Sequence, residues 1–158
     1  PIVAICDYLE YKGYPISGCF ELSAIGVESL RGWFHTDPTA YRQFIPFGRG
    51  ACGDIYAVWV YDSNPPDESP IVMFGSEGEL SVLARNAAQF CRALCIGYSE
   101  IGLDSPTSAP EDYDETEPFR QYMIKRYGFT IPENAESIFA EAQLNTPDFR
   151  SFVEDRQL

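Results

Sequence analysis

Residues 55–61 read IYAVWVY, a run in which every side chain is apolar or aromatic. Successive side chains of a β-strand point to opposite faces of its sheet, so a strand of this composition is covered on both faces. Such a strand belongs inside a sheet rather than at its edge. The run therefore predicts an interior strand with other elements packed on both sides, and Trp59 is expected to be buried.

Two further apolar runs follow in the sequence. Residues 70–74 read PIVMF and residues 80–84 read LSVLA. Gly75 and Gly78 lie between them, and a tight reversal favours glycine where the backbone needs a positive φ. Together the three runs predict an antiparallel β-meander.

A helix is expected directly after the meander. Asn86 suits the N-cap, Gln89 completes a capping box, and Gly97 suits the position beyond the helix C-terminus. Between them, apolar side chains recur at the spacing of one helical face: Phe90, Cys91, Leu94 and Cys95. This face is expected to pack on the sheet.

The chain before the meander contains shorter patterns. Residues 2–9 and 14–22 are apolar segments around Lys12 and Gly13, and they predict a β-hairpin at the sheet edge. Residues 28–34 predict a helix, because apolar side chains recur at the spacing of one helical face. These side chains are Val27, Leu30, Trp33 and Phe34.

Three short amphipathic helices are predicted at the C-terminal end. The first runs from a Thr116 cap to Gly128, the second opens at Pro132 and the third at Thr146. Their apolar stripes are Phe119, Tyr122, Met123 and Tyr127; Ala135, Ile138, Phe139 and Ala142; and Phe149, Phe152 and Val153. These helices are expected to form a C-terminal helical layer. At 158 residues, 45% of them hydrophobic, the chain predicts a single α+β domain over residues 1–158.

The charge balance limits the classes of partner. The chain has 24 acidic residues against 11 basic ones and a formal net charge of −13. Nucleic-acid binding requires clustered Lys and Arg, so this balance argues against a nucleic-acid partner. It favours a basic partner, although an acidic surface also serves solubility alone. No apolar run approaches the roughly 20 residues of a membrane span, so a soluble protein without a membrane partner is expected.

Three groups of acids are candidate partner-binding residues. Residues 104–117 predict a connector or mobile loop, because Pro106 and Pro110 interrupt regular structure there. Near its end, carboxylates are concentrated without a base: Glu111, Asp112, Asp114, Glu115 and Glu117. The other two groups are Glu77 with Glu79 on the turn of the meander, and Asp67 with Glu68 in the gap before it.

The residue types that enzymes use form no convincing catalytic group. His35 is the only histidine, which excludes a metal site built from several histidines. Cys52 lies in a glycine-flanked loop that lacks the Gly-Lys-Ser/Thr ending of a phosphate-binding loop. Glu77 and Glu79 could serve as an acid–base pair or bind a hard cation, but exposed glutamates on a turn commonly serve solubility alone. No catalytic residue, cofactor or metal is predicted.

The five cysteines are an odd number and lack CxxC spacing, so the sequence indicates neither a disulfide framework nor a zinc knuckle. Reduced, structural thiols in a cytoplasmic protein are expected. Cys91 and Cys95 lie four residues apart, where two thiols could share a ligand. Burial as small core residues is the more common role of such thiols.

An ordered series of segments along the chain resembles one known family. The segments are FIPFG at 44–48, Gly53 and Asp54 leading into YAVW at 56–59, PIVMFGSEG at 70–78 and VLARN at 82–86. In this order they resemble the SUKH superfamily, which contains bacterial immunity proteins of toxin systems and relatives of a fungal cell-wall synthesis regulator. The likeness covers residues 20–155, and residues 1–22 depart from it.

This resemblance implies a fold, an absence of catalysis and a kind of partner. The fold is α+β, with a curved antiparallel sheet packed with helices. The leading hypothesis is a non-catalytic immunity protein that binds and neutralises a cognate antibacterial protein toxin, for which a basic toxin surface would suit the acidic chain. Partner surfaces vary within the family, so no binding residue is transferred by motif. The alternatives are a housekeeping cytosolic protein-interaction module of the same fold and an enzyme that depends on Glu77, Glu79 or Cys52.

Overall fold

The structure is a computed structural model that describes residues 2–14 and 16–157. Its centre is a five-stranded antiparallel sheet in which the strands lie side by side in sequence order. The strands are β1 Glu21–Leu22, β2 Phe44–Arg49, β3 Ile55–Trp59, β4 Ile71–Phe74 and β5 Leu80–Ala84. The α-helices are α1 Ile2–Lys12, α2 Ala87–Leu94, α3 Glu117–Tyr127, α4 Glu136–Asn145 and α5 Phe149–Glu154, and 3-10 helices cover Val27–Trp33 and Ala40–Gln43. The predicted α+β class and antiparallel meander are confirmed.

The interior strand predicted from the sequence is β3. It is the middle strand of the sheet, and all five of its residues are buried. The strand ends at Trp59, two residues before the predicted boundary, and Trp59 is 1% exposed. Register shifts mark β-bulges in β2 and at the pairing of β4 with β5. Bulges of this kind bend a strand and increase its twist.

Each face of the sheet is covered by its own apolar core. On one face, Tyr56 and Val58 pack with side chains of α1, α2 and α3. On the other face, Ala57 and Trp59 pack with the 3-10 helices and α5. The alternation along β3 therefore divides its apolar side chains between the two cores, as a strand covered on both sides requires.

Other parts of the chain contact both edges of the sheet. At the β1 edge, the Tyr14 hydroxyl accepts the Leu22 N–H at 3.0 Å and donates to the Leu22 carbonyl at 3.3 Å. At the β5 edge, α4 packs along the strand, with Phe139 in one core and Ala142 in the other. Open edges leave unpaired backbone groups that can pair with other chains.

The helix α2 forms as predicted. The Asn86 side chain accepts the Gln89 N–H at 2.9 Å, and Gly97 follows the helix with a φ of 98°. The side chains of the predicted apolar face are fully buried: Phe90, Cys91, Leu94 and Cys95. The Gln89 side chain donates to Glu141 at 2.8 Å instead of returning to the cap, so only half of the capping box is present.

The predicted N-terminal hairpin is wrong, because most of that region forms α1. Gly13 has a φ of 76°, and its N–H donates to the Leu9 carbonyl at 2.9 Å. These are features of a glycine that ends a helix, not of a hairpin turn. The buried side chains of α1 share one helical face: Ala4, Ile5 and Tyr8. Packing of this face beside α2 and α3 stabilises the helix over the alternative strand.

The remaining predicted helices are present with small differences. The segment 28–34 forms a 3-10 helix instead of an α-helix. The three C-terminal helices form, although Tyr127 is 39% exposed and does not belong to the buried stripe. The N-cap of α5 is Asp148 and not Thr146. The Asp148 carboxylate accepts the Ser151 N–H at 3.0 Å.

Candidate functional site

Residues 111–116, called here the acidic segment, pack against the end of α2. The Asp112 N–H donates to the Gly97 carbonyl at 2.9 Å, and the Thr116 N–H donates to the Asp112 carbonyl at 3.0 Å. Gly97 permits this approach, because a Cβ there would lie 2.8 Å from the Asp112 carbonyl oxygen. Residues 105–116 contain no helix or strand, as the proline pattern predicts. The segment is nevertheless tied to the fold, and α3 begins at Glu117.

Arg120 on α3 joins the acidic segment to the end of α2. Its side chain is only 5% exposed. It donates to the carbonyls of Cys95 at 2.8 Å and Ile96 at 3.3 Å, where α2 ends. It also donates to the Tyr113 carbonyl at 2.8 Å, and its guanidinium lies 3.8 Å from the centre of the Tyr113 ring. A planar guanidinium can satisfy several fixed acceptors and stack on a ring at the same time.

The carboxylates near Arg120 differ in whether they have partners. Glu117 forms an ion pair with Arg120 and accepts a hydrogen bond from Gln121 at 2.9 Å. The hydrogen bond from Gln121, followed by that from Arg120, holds the pKa of Glu117 below its ordinary value. Within the described residues, the other predicted acids of this region form no ion pair and accept no side-chain hydrogen bond: Glu111, Asp112, Asp114 and Glu115. The acidic segment therefore presents free carboxylates on a packed backbone.

The turn between β4 and β5 uses one of its two glutamates internally. The half-buried Glu79 accepts the Glu77 N–H at 3.2 Å, and a Cβ at Gly75 would overlap its carboxylate. Gly78 supplies the positive φ of the turn, at 101°. The buried Asp54 accepts the Ser76 N–H at 2.9 Å and links this turn to the β2–β3 loop. Glu77 is exposed, so of the predicted pair it is the residue available to a partner.

The loop that follows α2, which contains Glu100 and Asp104, brings further carboxylates to the same end of the sheet. The Cys52 thiol contacts Glu100 at 3.8 Å, and the Glu100 N–H donates to Asp104 at 2.7 Å. The negative charge of Glu100, then partial desolvation and the charges of Asp54 and Glu77, raise the pKa of Cys52. We call the converging group the acidic end: Asp54, Glu77, Glu79, Glu100 and Asp104. Sequence reasoning missed three of these, because residues far apart in the chain meet only in the fold.

The acidic end and the acidic segment are linked by a short stretch of chain. The third predicted group, Asp67 with Glu68, lies at the other end of α2. Gly97 bonds to the acidic segment and Glu100 belongs to the acidic end, so only Tyr98 and Ser99 separate the two contacts along the chain. The backbone carbonyl of Asp67 accepts the Ala87 N–H at 3.3 Å, which places Asp67 with the exposed Glu68 at the N-terminus of α2. An eight-residue helix is about 12 Å long, so Asp67 and Glu68 are separated from the acidic segment by the length of α2.

The remaining candidate residues do not form a catalytic group in the described part of the chain. His35 is exposed. Cys91 and Cys95 are core residues, as predicted, and burial raises the pKa of Cys91 to about 12. Cys6 and Cys52 are exposed, which contradicts a structural core role for all five cysteines. Among the described residues, no cluster of His, Cys, Asp and Glu is suited to a metal ion, and no helix is long and apolar enough to cross a membrane.

The raised pKa of Cys52 gives a testable reactivity. Because a nearby carboxylate disfavours the thiolate, the change Glu100→Gln is expected to lower the Cys52 pKa and to speed its alkylation severalfold at neutral pH. Iodoacetamide labelling followed by peptide mass spectrometry measures this rate. The exposed Cys6 is an internal control whose rate should not change. An unchanged Cys52 rate in the Glu100→Gln variant would contradict the electrostatic cause.

Comparison of the chain with protein-family models, with curated protein sequences and with solved structures finds no match in any of the three. The resemblance to the SUKH superfamily therefore stays a prediction from the sequence.

Proposed function

We propose that this protein is a cytoplasmic, non-catalytic immunity protein that binds and neutralises a cognate antibacterial protein toxin through an acidic surface. The main support is the set of free carboxylates on the packed acidic segment, together with the exposed Glu77 of the acidic end. The net charge of −13 and the resemblance of the ordered segments to the SUKH superfamily are consistent with this function. A backbone that is already held in place favours association because a partner does not have to order it first.

Electrostatic complementarity determines how such an interface would behave. A surface of one sign attracts a partner of the opposite sign before contact and raises the association rate. Exposed charges are screened beyond about 8 Å at physiological ionic strength. Binding to a basic toxin should therefore slow and weaken as salt is added.

The acidic segment can be tested by reversing its exposed charges. The double change Glu111→Lys and Glu115→Lys should slow association with the toxin severalfold at low salt, because it replaces attraction by repulsion. Surface plasmon resonance measures the rate, and growth of cells expressing the toxin measures protection. Glu77→Lys should have a smaller effect in the same direction. Glu79 is not used as a test of charge, because its carboxylate also bonds within its own turn.

The matched control reverses the same number of charges at the other end of α2, with Asp67→Lys and Glu68→Lys. This variant has the same net charge but should retain most of the association rate and of the protection. If both double variants bind and protect like the unchanged protein, the acidity serves only solubility. If the control variant loses more of the association rate and of the protection than the other variant, the interface lies around residues 67–68 instead.

The two alternative functions predict different observations. A housekeeping interaction module would bind a partner encoded away from any toxin gene, whereas an immunity gene normally lies beside the gene for its toxin. The reading frame next to this gene is therefore the most informative observation, and a pull-down from the native organism is the substitute. An enzyme dependent on Glu77, Glu79 or Cys52 would lose activity on substitution of one of them, which an activity screen with point variants would show.

A further inference from the structure

We propose that Arg120 is a positioning residue that holds the acidic segment in the conformation which presents its carboxylates to a lysine-rich segment of a protein partner. This inference rests on the proposed function for the identity of the partner. It concerns how the surface is built, and the structure supplies three observations that support it.

The first observation is the position of Arg120 between two parts of the fold. One set of its donors bonds to the carbonyls of Cys95 and Ile96, which belong to the well-packed end of α2. Another donor bonds to the Tyr113 carbonyl, inside the acidic segment. A single buried side chain therefore fixes the middle of that segment to a rigid element. The Asp112 amide ties the segment to Gly97, and the Thr116 amide closes a turn within the segment on the Asp112 carbonyl.

The second observation is the separation of roles among the acids. Arg120 pairs with Glu117, at the start of α3, and this pair lies outside the acidic segment. The positive charge of Arg120 is thus matched by Glu117 without using the carboxylates at Glu111, Asp114 or Glu115. Those carboxylates stay available to an external cation.

The third observation is a cavity beside the acidic segment. It has a volume of about 180 Å³ and is lined on one side by Asp112, Glu115 and Thr116. Its other side is formed by Ile16, Ser17 and Gly18. A lysine side chain combines an apolar stem with a charged head, and the acidic residues Asp112 and Glu115 among the lining would attract that head.

The charge-conserving change Arg120→Lys tests the positioning role. A lysine ammonium cannot reproduce the planar fork that reaches several carbonyls, although the net charge is unchanged. Hydrogen exchange of the Asp112 and Thr116 amides should become faster by about tenfold, because the segment opens more often. Affinity for a synthetic oligolysine peptide, measured by calorimetry at low salt, should fall severalfold.

Two further variants keep the result interpretable. Arg92→Lys is the matched control, because Arg92 bonds to one carbonyl, that of Thr130 at 3.0 Å, away from the acidic segment. It should leave exchange in the acidic segment and oligolysine affinity unchanged. If Arg120→Lys does not fold, Tyr113→Leu removes the ring stacked on the guanidinium from a 52% exposed position. It should give the same two changes at smaller size.

Each outcome decides the inference. Unchanged exchange in Arg120→Lys, or in Tyr113→Leu if the first variant does not fold, would overturn the positioning role. Faster exchange with unchanged oligolysine affinity would overturn the link between a fixed segment and cation binding. Faster exchange with weaker oligolysine binding supports the inference. The proposed function fails separately if no toxin partner exists, since neither measurement uses the toxin.

Discussion

Replacing Arg120 with methionine is expected to lower the free energy of unfolding by about 3–5 kcal/mol. Methionine fills much of the volume of the arginine stem but donates no hydrogen bond. The carbonyls of Cys95 and Ile96 would each lose a donor where water has little access, and the part-buried Tyr113 carbonyl would lose one as well. Glu117 is half exposed, so its carboxylate adds less to the cost. Urea denaturation followed by tryptophan fluorescence measures the change.

Arg150 provides the control for the loss of an arginine. It pairs with Glu154 at 3.2 Å, and both side chains are more than half exposed. An exposed pair of this kind contributes little, so Arg150→Met should change the unfolding free energy by no more than about 1 kcal/mol. Equal effects of the two substitutions would show that the buried contacts of Arg120 do not stabilise the fold.

Truncation of Trp59 to alanine should also cost about 3–5 kcal/mol, because it opens a cavity among aromatic rings. The indole stacks on Phe44 with ring centres 5.9 Å apart. Its centre also lies 5.3 Å from that of Phe149 and 4.9 Å from that of Phe152. The loss of Trp59 therefore loosens β3 from both β2 and α5. Thermal and urea melts followed by circular dichroism measure the loss.

The change Trp59→Phe separates packing from hydrogen bonding. The indole N–H of Trp59 is buried without an acceptor among the described residues. Phenylalanine removes this unsatisfied donor while keeping an aromatic ring, and the expected cost is below about 1.5 kcal/mol. A Trp59→Phe variant as unstable as Trp59→Ala would mean that ring packing is not what Trp59 contributes.

The centre of the fold could be predicted from the sequence because its signals are local and agree with one another. The all-apolar run of β3 requires cover on both faces, and Asn86 and Gly97 mark the two ends of α2 by side-chain and backbone chemistry. The N-terminal region could not be predicted in this way. A glycine after a lysine suits both a hairpin turn and a helix end, and only the packing of α1 beside α2 and α3 decides between them.

The candidate surface could be predicted in part. The acids at 111–117 and 77–79 are visible as a charge pattern in the sequence. The sequence does not show which carboxylates are already paired, since that depends on Arg120, Gln121 and the turn amides. Arg120 could have been noticed, because it lies three residues before the buried Met123 and so shares its helical face. A charged residue on a buried helical face indicates specific hydrogen-bond or ion-pair contacts within the fold.

The contacts at the two sheet edges affect whether a partner could bind by adding a strand to the sheet. Many partners bind by adding a strand to an exposed edge, which uses backbone groups and is insensitive to side-chain charge. Here the Tyr14 hydroxyl occupies the outward groups of Leu22, and α4 lies along β5. These contacts hinder strand addition at those positions, and recognition through the charge of exposed side chains, as proposed for the acidic segment, would leave the sheet unchanged.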